Sequence, residues 1–256
     1  MTESFQILGR AALAYGLAVV GGAVSTRAGV SHRRLCAMIS MAAGTLLGVT
    51  LFSILPECAE GMKWWTLGVA VVSGYAVFGL ISKYVFHVCP ACAASHFDEA
   101  TTHRFAEIAG ALVIALGVHS TMDGVALAAG HEAHGHGGGG LDLSLMVAVC
   151  AHKVPEGLAL GALLMGAGFR PLKTLVWVAG VESTTLLGAV LGLWWLSAID
   201  GWWVAVVLAH AGGGFVYLAA HAVFGELVNH AKVTVIGSFV AGVALIGAVN
   251  LLVRLW

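Results

Sequence analysis

Eight uninterrupted apolar runs constrain this chain more than anything else in its sequence. They cover residues 5–24, 35–56, 65–87, 105–130, 142–168, 172–198, 202–226 and 233–253, with short polar breaks between them. A helix needs roughly 20 mostly apolar residues to cross the hydrocarbon core of a bilayer. Within that core every backbone N–H and C=O must be satisfied by the protein itself, which leaves helical bundles and closed β-barrels. Barrels show short alternating strands, whereas these runs are continuous. The expected fold is therefore an all-α membrane protein with eight transmembrane helices, a single transmembrane domain over residues 1–256. The charged share of 10% supports this, because soluble domains carry about 25%. A net charge of −1 offers nucleic acid no basic surface. The first run is long and lacks a cleavage cluster, so it is not read as a signal peptide. The five cysteines, Cys36, Cys58, Cys89, Cys92 and Cys150, are too scattered for a disulfide framework.

Lys and Arg placement sets the expected orientation. The connections after the first, third, fifth and seventh runs hold Arg27, Arg33, Arg34, Lys83, Arg104, Arg170, Lys173 and Lys232. The opposite side holds Arg10, Lys63 and Arg254. Eight against three places both termini outside. Trp64, Trp65, Trp202, Trp203 and Trp256 fall near run ends, where an interfacial aromatic belt belongs.

Two patterns inside this apolar frame carry chemistry. His119-Ser-Thr-Met-Asp123-Gly-Val-Ala-Leu127 and His152-Lys-Val-Pro-Glu156-Gly-Leu-Ala-Leu160 share the form H-x-x-x-[D/E]-G-x-A-L. Each histidine precedes its carboxylate by four residues, so the two share a helix face one turn apart. The pairs sit near the middle of consecutive runs that cross in opposite directions. This points to an inverted repeat with its site near the bilayer midplane. Glu182 lies at similar depth in the sixth run. Intramembrane carboxylates are expensive and face partners or a polar path. Two imidazoles and three carboxylates describe a cage for a borderline divalent metal, Zn²⁺ above all, with Fe²⁺, Mn²⁺ or Co²⁺ compatible. The plain alternative is a buried polar network that ties helices together. Two matched pairs of opposite direction favour the metal.

Lys153 needs its own explanation. Asp123, Glu156 and Glu182 contribute −3 and Lys153 contributes +1, a sum of −2 that matches one divalent cation. Lys153 then fills the space of a second ion, or else it snorkels away from the site. Glu182 either joins the cage or pairs with Lys153, and Ser120 either assists the site or bonds its own helix backbone. Pro155 lacks the N–H that would bond the Ala151 carbonyl and should kink its helix. Gly124 and Gly157 suit helix contact or ion passage. The triple glycine 212–214 should admit a neighbouring helix or unwind locally.

The paired signatures in the fourth and fifth of eight helices closely resemble the ZIP family (Zrt-, Irt-like proteins) of divalent metal transporters. "AAGTLLGVTLFSILPE" (42–57) looks like that family's second helix and "GGGFVYLAAHAVFGE" (212–226) like its seventh. The resemblance implies that His119, Asp123, His152 and Glu156 are metal ligands, with Ser120 and Glu182 as nearby members. It also implies import of zinc, iron or manganese into the cytoplasm, with a homodimer as a possible assembly; the expected location is a bacterial inner membrane. One departure concerns Lys153, where some members carry an acidic or amide residue and a second metal. Another concerns the loops: the family's histidine-rich loop joins helices three and four, whereas the richer tract here follows helix four.

Further candidates carry weaker signals. His210 and His221 line up along the seventh helix, as pathway or core histidines. Glu57 and Glu226 near run ends read as solvated helix ends or pathway mouths. His131, His134 and His136 in the outer connection "HEAHGHGGGG" form either a capture tract or a flexible loop. Cys89, Cys92, His96 and His103 on the inner side have the residue types of a zinc site. The main functional alternative is an intramembrane zinc-dependent hydrolase, but the H-E-x-x-H motif is absent. An exporter of the cation-diffusion type would be expected to have six helices and a soluble metal-binding domain. Eight helices and the duplicated motif favour import.

Overall fold

The computed structural model describes residues 2–27, 32–83, 102–134, 139–196, 198–229 and 232–255. Among them every regular element is helical: α1 (Thr2–Arg27), α2 (His32–Val49), a π-helical turn (Thr50–Ile54), α3 (Leu55–Gly61), α4 (Trp64–Ile81), α5 (Thr102–His134), α6 (Gly139–Gly166), α7 (Pro171–Glu182), α8 (Thr184–Leu196), α9 (Gly201–Asn229) and α10 (Lys232–Leu255). Seven stretches among the described residues are long and apolar enough to cross a membrane: Ser4–Arg27, Cys36–Gly61, Trp64–Ile81, Leu143–Gly166, Pro171–Leu196, Gly201–Val223 and Val233–Leu252. Side chains such as Trp64, Trp194 and Val233 are mostly exposed, as expected where lipid is the solvent. Trp202 and Trp203, exposed at the start of α9, pack edge to face with centroids 4.7 Å apart.

Two runs that read as continuous are broken. The second run passes through the π turn, and Pro56 stands at the start of α3. Pro56 has no N–H for the carbonyl of Phe52, four residues back. Asn250 of α10 supplies the missing donor, with Nδ2 2.9 Å from Phe52 O and 3.0 Å from Ser53 Oγ. The sixth run divides at Ser183, whose N–H still bonds Ala179 O at 3.0 Å. Thr184 Oγ1 lies 2.8 Å from Val181 O in the preceding turn and 2.9 Å from Gly117 O of α5, so its single proton serves either carbonyl. By contrast, α6 stays helical through Pro155. The fourth run extends further than its apolar stretch, so His131 and His134 belong to the last turn of α5 and not to a connection. Nothing in His-Glu-Ala-His stops a helix.

Four helix pairs are joined by reciprocal glycines. A Cβ on Gly21 of α1 would overlap Val154 O of α6, and one on Gly157 would overlap Ala18 O. Gly124 of α5 lies on Thr185 O, and Gly188 of α8 on Thr121 O. Gly44 of α2 lies on Phe239 O, and Gly242 of α10 on Met41 O. Gly74 of α4 lies on His210 O, and Gly213 of α9 on Val71 O. In every case the glycine rests on the carbonyl three residues before its partner glycine. Only a missing side chain allows helices this close, where Cα–H···O contacts form. The triple glycine 212–214 therefore admits α4, and α9 does not unwind there.

Candidate metal centre

The centre lies where α5 faces α6. His119 and Asp123 project one turn apart from α5, and His152 and Glu156 do the same from α6. The glycine after each carboxylate, Gly124 or Gly157, is a clamp residue, so the backbone carrying each pair is held against α8 or α1. One ligand-type atom from each of the four side chains lies within 4.8 Å of the other three.

The nitrogens and oxygens face one another. His152 Nε2 is 3.1 Å and His119 Nε2 3.5 Å from Asp123 Oδ2. The same nitrogens are 4.0 Å and 3.9 Å from Glu156 Oε2. A tetrahedron of ligands at about 2.0–2.1 Å from zinc has edges of roughly 3.3 Å, so small side-chain movements would close this group on an ion. His152 Nδ1 donates to Ala148 O at 2.9 Å. In the neutral ring this leaves the Nε2 lone pair facing a carboxylate oxygen, an arrangement that a cation stabilises. His119 Nδ1 and Asp123 Oδ1 are buried without a hydrogen-bond partner among the described residues.

Lys153 is fully buried and does not snorkel. Its Nζ lies 2.7 Å from Ser120 Oγ, 2.8 Å from Glu156 Oε2, 2.9 Å from Asp123 Oδ2 and 3.1 Å from Glu182 Oε2. Glu182, the last residue of α7, is equally buried. Ser120 Oγ lies 3.0 Å from Glu156 Oε1 and 3.2 Å from Glu182 Oε2. Its single proton serves one of these at a time. Ser120 is therefore part of this network and not bonded back to its own helix.

The weaker candidates lie elsewhere. His210 bonds Ser73 Oγ at 2.9 Å and borders an apolar cavity of about 600 Å³ together with Met122 and Trp203. His221 is exposed and stacks on Tyr217 at 5.2 Å. Glu57 is half-buried in the first turn of α3, and His131 Nδ1 lies 3.4 Å from Arg10 Nη1. None of these four belongs to the buried cluster. Cys89, Cys92, His96 and His136 fall outside the described residues, as do the side chains of His103, His134 and Glu226.

Two elements of the centre escaped the sequence reading. The Ala148 carbonyl that orients His152 is a backbone atom, and its only signal is a position four residues before the histidine. The break after Glu182 is signalled by Ser183-Thr184-Thr185, hydroxyl residues that compete with helix hydrogen bonds. Among known proteins, the family model described as "ZIP Zinc transporter" matches residues 91–250. No curated protein matches the chain.

Proposed function

Because the chain belongs to the ZIP zinc transporter family, whose members transport divalent metals, we propose that it imports Zn²⁺ into the cytoplasm, one ion at a time, with iron or manganese as lesser cargo. The observation that carries this is the four-residue cluster: two imidazoles and two carboxylates, buried, with ligand atoms within 4.8 Å of one another. His119, Asp123, His152 and Glu156 are the ligands in this reading. An ion arriving from outside exchanges its water for these groups and leaves inward once the helices rearrange. Binding must be firm enough to replace hydration and weak enough to release.

The arrangement has eight spans, both termini outside, in a bacterial inner membrane. Support for an eighth span is the 33-residue length of α5, roughly 50 Å of helix. The inverted repeat draws support from the clamps, because the α5·α8 contact repeats the α6·α1 contact around equivalent motif glycines. Single-ion passage draws support from Lys153, whose ammonium lies against all three carboxylates where a second cation would otherwise bind. Family membership also stands against the hydrolase, since its members are transporters.

The test is uptake of a panel of divalent metals into proteoliposomes by wild type and by the His152→Ala/Glu156→Ala variant. Saturable uptake that collapses in the variant is expected. Uptake that survives it would move the site elsewhere. The ligands bind metal in their deprotonated forms, so uptake should also fall as the external pH is lowered.

A further inference from the structure

Building on the reading that the cluster carries a divalent cation, we infer that Glu182 is the counter-ion that holds Lys153 while the cluster is loaded, and not a ligand of the cargo. Lys153 Nζ has three protons and four acceptors, at 2.7, 2.8, 2.9 and 3.1 Å. Two of those acceptors, Asp123 Oδ2 and Glu156 Oε2, are the oxygens that both imidazole Nε2 atoms face. A dication taking these oxygens competes with the ammonium for them. The acceptors that remain are Glu182 Oε2 and Ser120 Oγ, themselves 3.2 Å apart.

Charge divides the same way. Asp123 and Glu156 balance the dication, and Glu182 balances Lys153. The side chains of Lys153 and Glu182 are both 0% exposed, so neither can turn to water. A lysine left alone there would be an uncompensated buried charge. Position agrees as well. The carboxylates within 4.0 Å of the imidazole Nε2 atoms are Asp123 and Glu156, and the cluster closes without Glu182. Glu182 is thus a positioning residue that acts through Lys153.

The experiment is zinc titration of the full-length purified protein by calorimetry, comparing wild type, Glu182→Gln and the double variant Lys153→Met/Glu182→Gln. Glu182→Gln should weaken zinc affinity about 10–100-fold, the usual effect of losing an outer partner. The double variant, which removes both charges together, should return to within about three-fold of wild type, as a balanced pair replaced by neutral residues can. A double variant as weak as Glu182→Gln overturns the inference, because a lost ligand is not rescued by removing a lysine. Should neither variant fold, a zinc-loaded wild-type structure decides. A Glu182 oxygen within about 2.5 Å of the metal, the range of a direct ligand, overturns the inference, and a Glu182 that contacts only Lys153 and Ser120 supports it. Wild type that binds no divalent metal would instead overturn the transport reading beneath it.

Discussion

The α1·α6 and α5·α8 pairs and the α2·α10 and α4·α9 pairs are joined by the same backbone device yet bury different chemistry. Both sets rest glycine on carbonyl in the same reciprocal register. The first set, with α7 beside it, buries His119, Asp123, His152, Lys153 and Glu182. Among the described residues, the buried polar groups of the second set and its π turn are neutral: Ser40, Thr45, Thr50, Ser53 and Asn250. Several of these serve the backbone. Thr45 donates to Ala42 O at 2.7 Å, Thr50 to Leu46 O at 2.9 Å, and Asn250 to Phe52 O. Close helix packing therefore does not by itself gather buried charge. The chemistry comes from charged side chains that face one another across an interface whose backbone is already fixed.

The sharpest way to break this comparison is to delete one charge from the first set and one hydroxyl from the second. Asp123→Ala should reduce zinc uptake at least about 100-fold, because it removes the oxygen nearest both imidazoles and leaves Lys153 underbalanced. Ser40→Ala should leave uptake unchanged, and a comparable loss there would erase the distinction. Next are the clamps. Gly124→Val and Gly213→Val each drive side-chain atoms into a carbonyl, of Thr185 or of Val71, and each should destabilise by about 1–3 kcal/mol or more. Zinc at about 100 times its Kd adds roughly 2.7 kcal/mol to a state that binds it. Thermal melts in detergent should show zinc offsetting the Gly124 variant more than the Gly213 variant. Equal offsets would mean that the two sets unfold as one unit.

Asn250→Leu should cost about 1–3 kcal/mol by leaving the Phe52 carbonyl unpaired, with zinc affinity unchanged by calorimetry. A changed affinity would couple the π turn to the metal centre. Lys153→Asp should raise bound zinc from one ion to two per chain by elemental analysis, and a stoichiometry still at one would remove the single-ion role of Lys153. The smallest effect belongs to His210→Ala and His221→Ala, which should hold uptake within about two-fold, since both lie outside the cluster.

How far these features were legible depends on their range along the chain. His119/Asp123 and His152/Glu156 announce themselves because a four-residue spacing fixes a shared helix face. The fold class follows from run length in the same local way. Lys153 was ambiguous, because a lysine's reach allows both burial and escape, and only the tertiary contacts with Asp123 and Glu182 decide. Gly21 and Gly44 look like any small residue in an apolar run, since their partners, Val154 and Phe239, are remote in sequence. Pro56 is visible in the sequence, but the residue that completes its turn, Asn250, comes from α10, remote along the chain. Ser183-Thr184-Thr185 sat inside a run whose hydropathy hid the break.

The clamps also set an order of events during synthesis. Gly21 of α1 meets its carbonyl only after α6 has been made, and Gly44 of α2 only after α10. At about 5–20 residues per second, α2 spends roughly 10–40 s in the membrane before its partner helix leaves the ribosome. During that time its glycine face is covered by lipid or by a passing neighbour. A helix inserted late thus closes one inserted early, and a chain stopped before α10 would leave α2 without its clamp even though His119, Asp123, His152 and Glu156 were already in place.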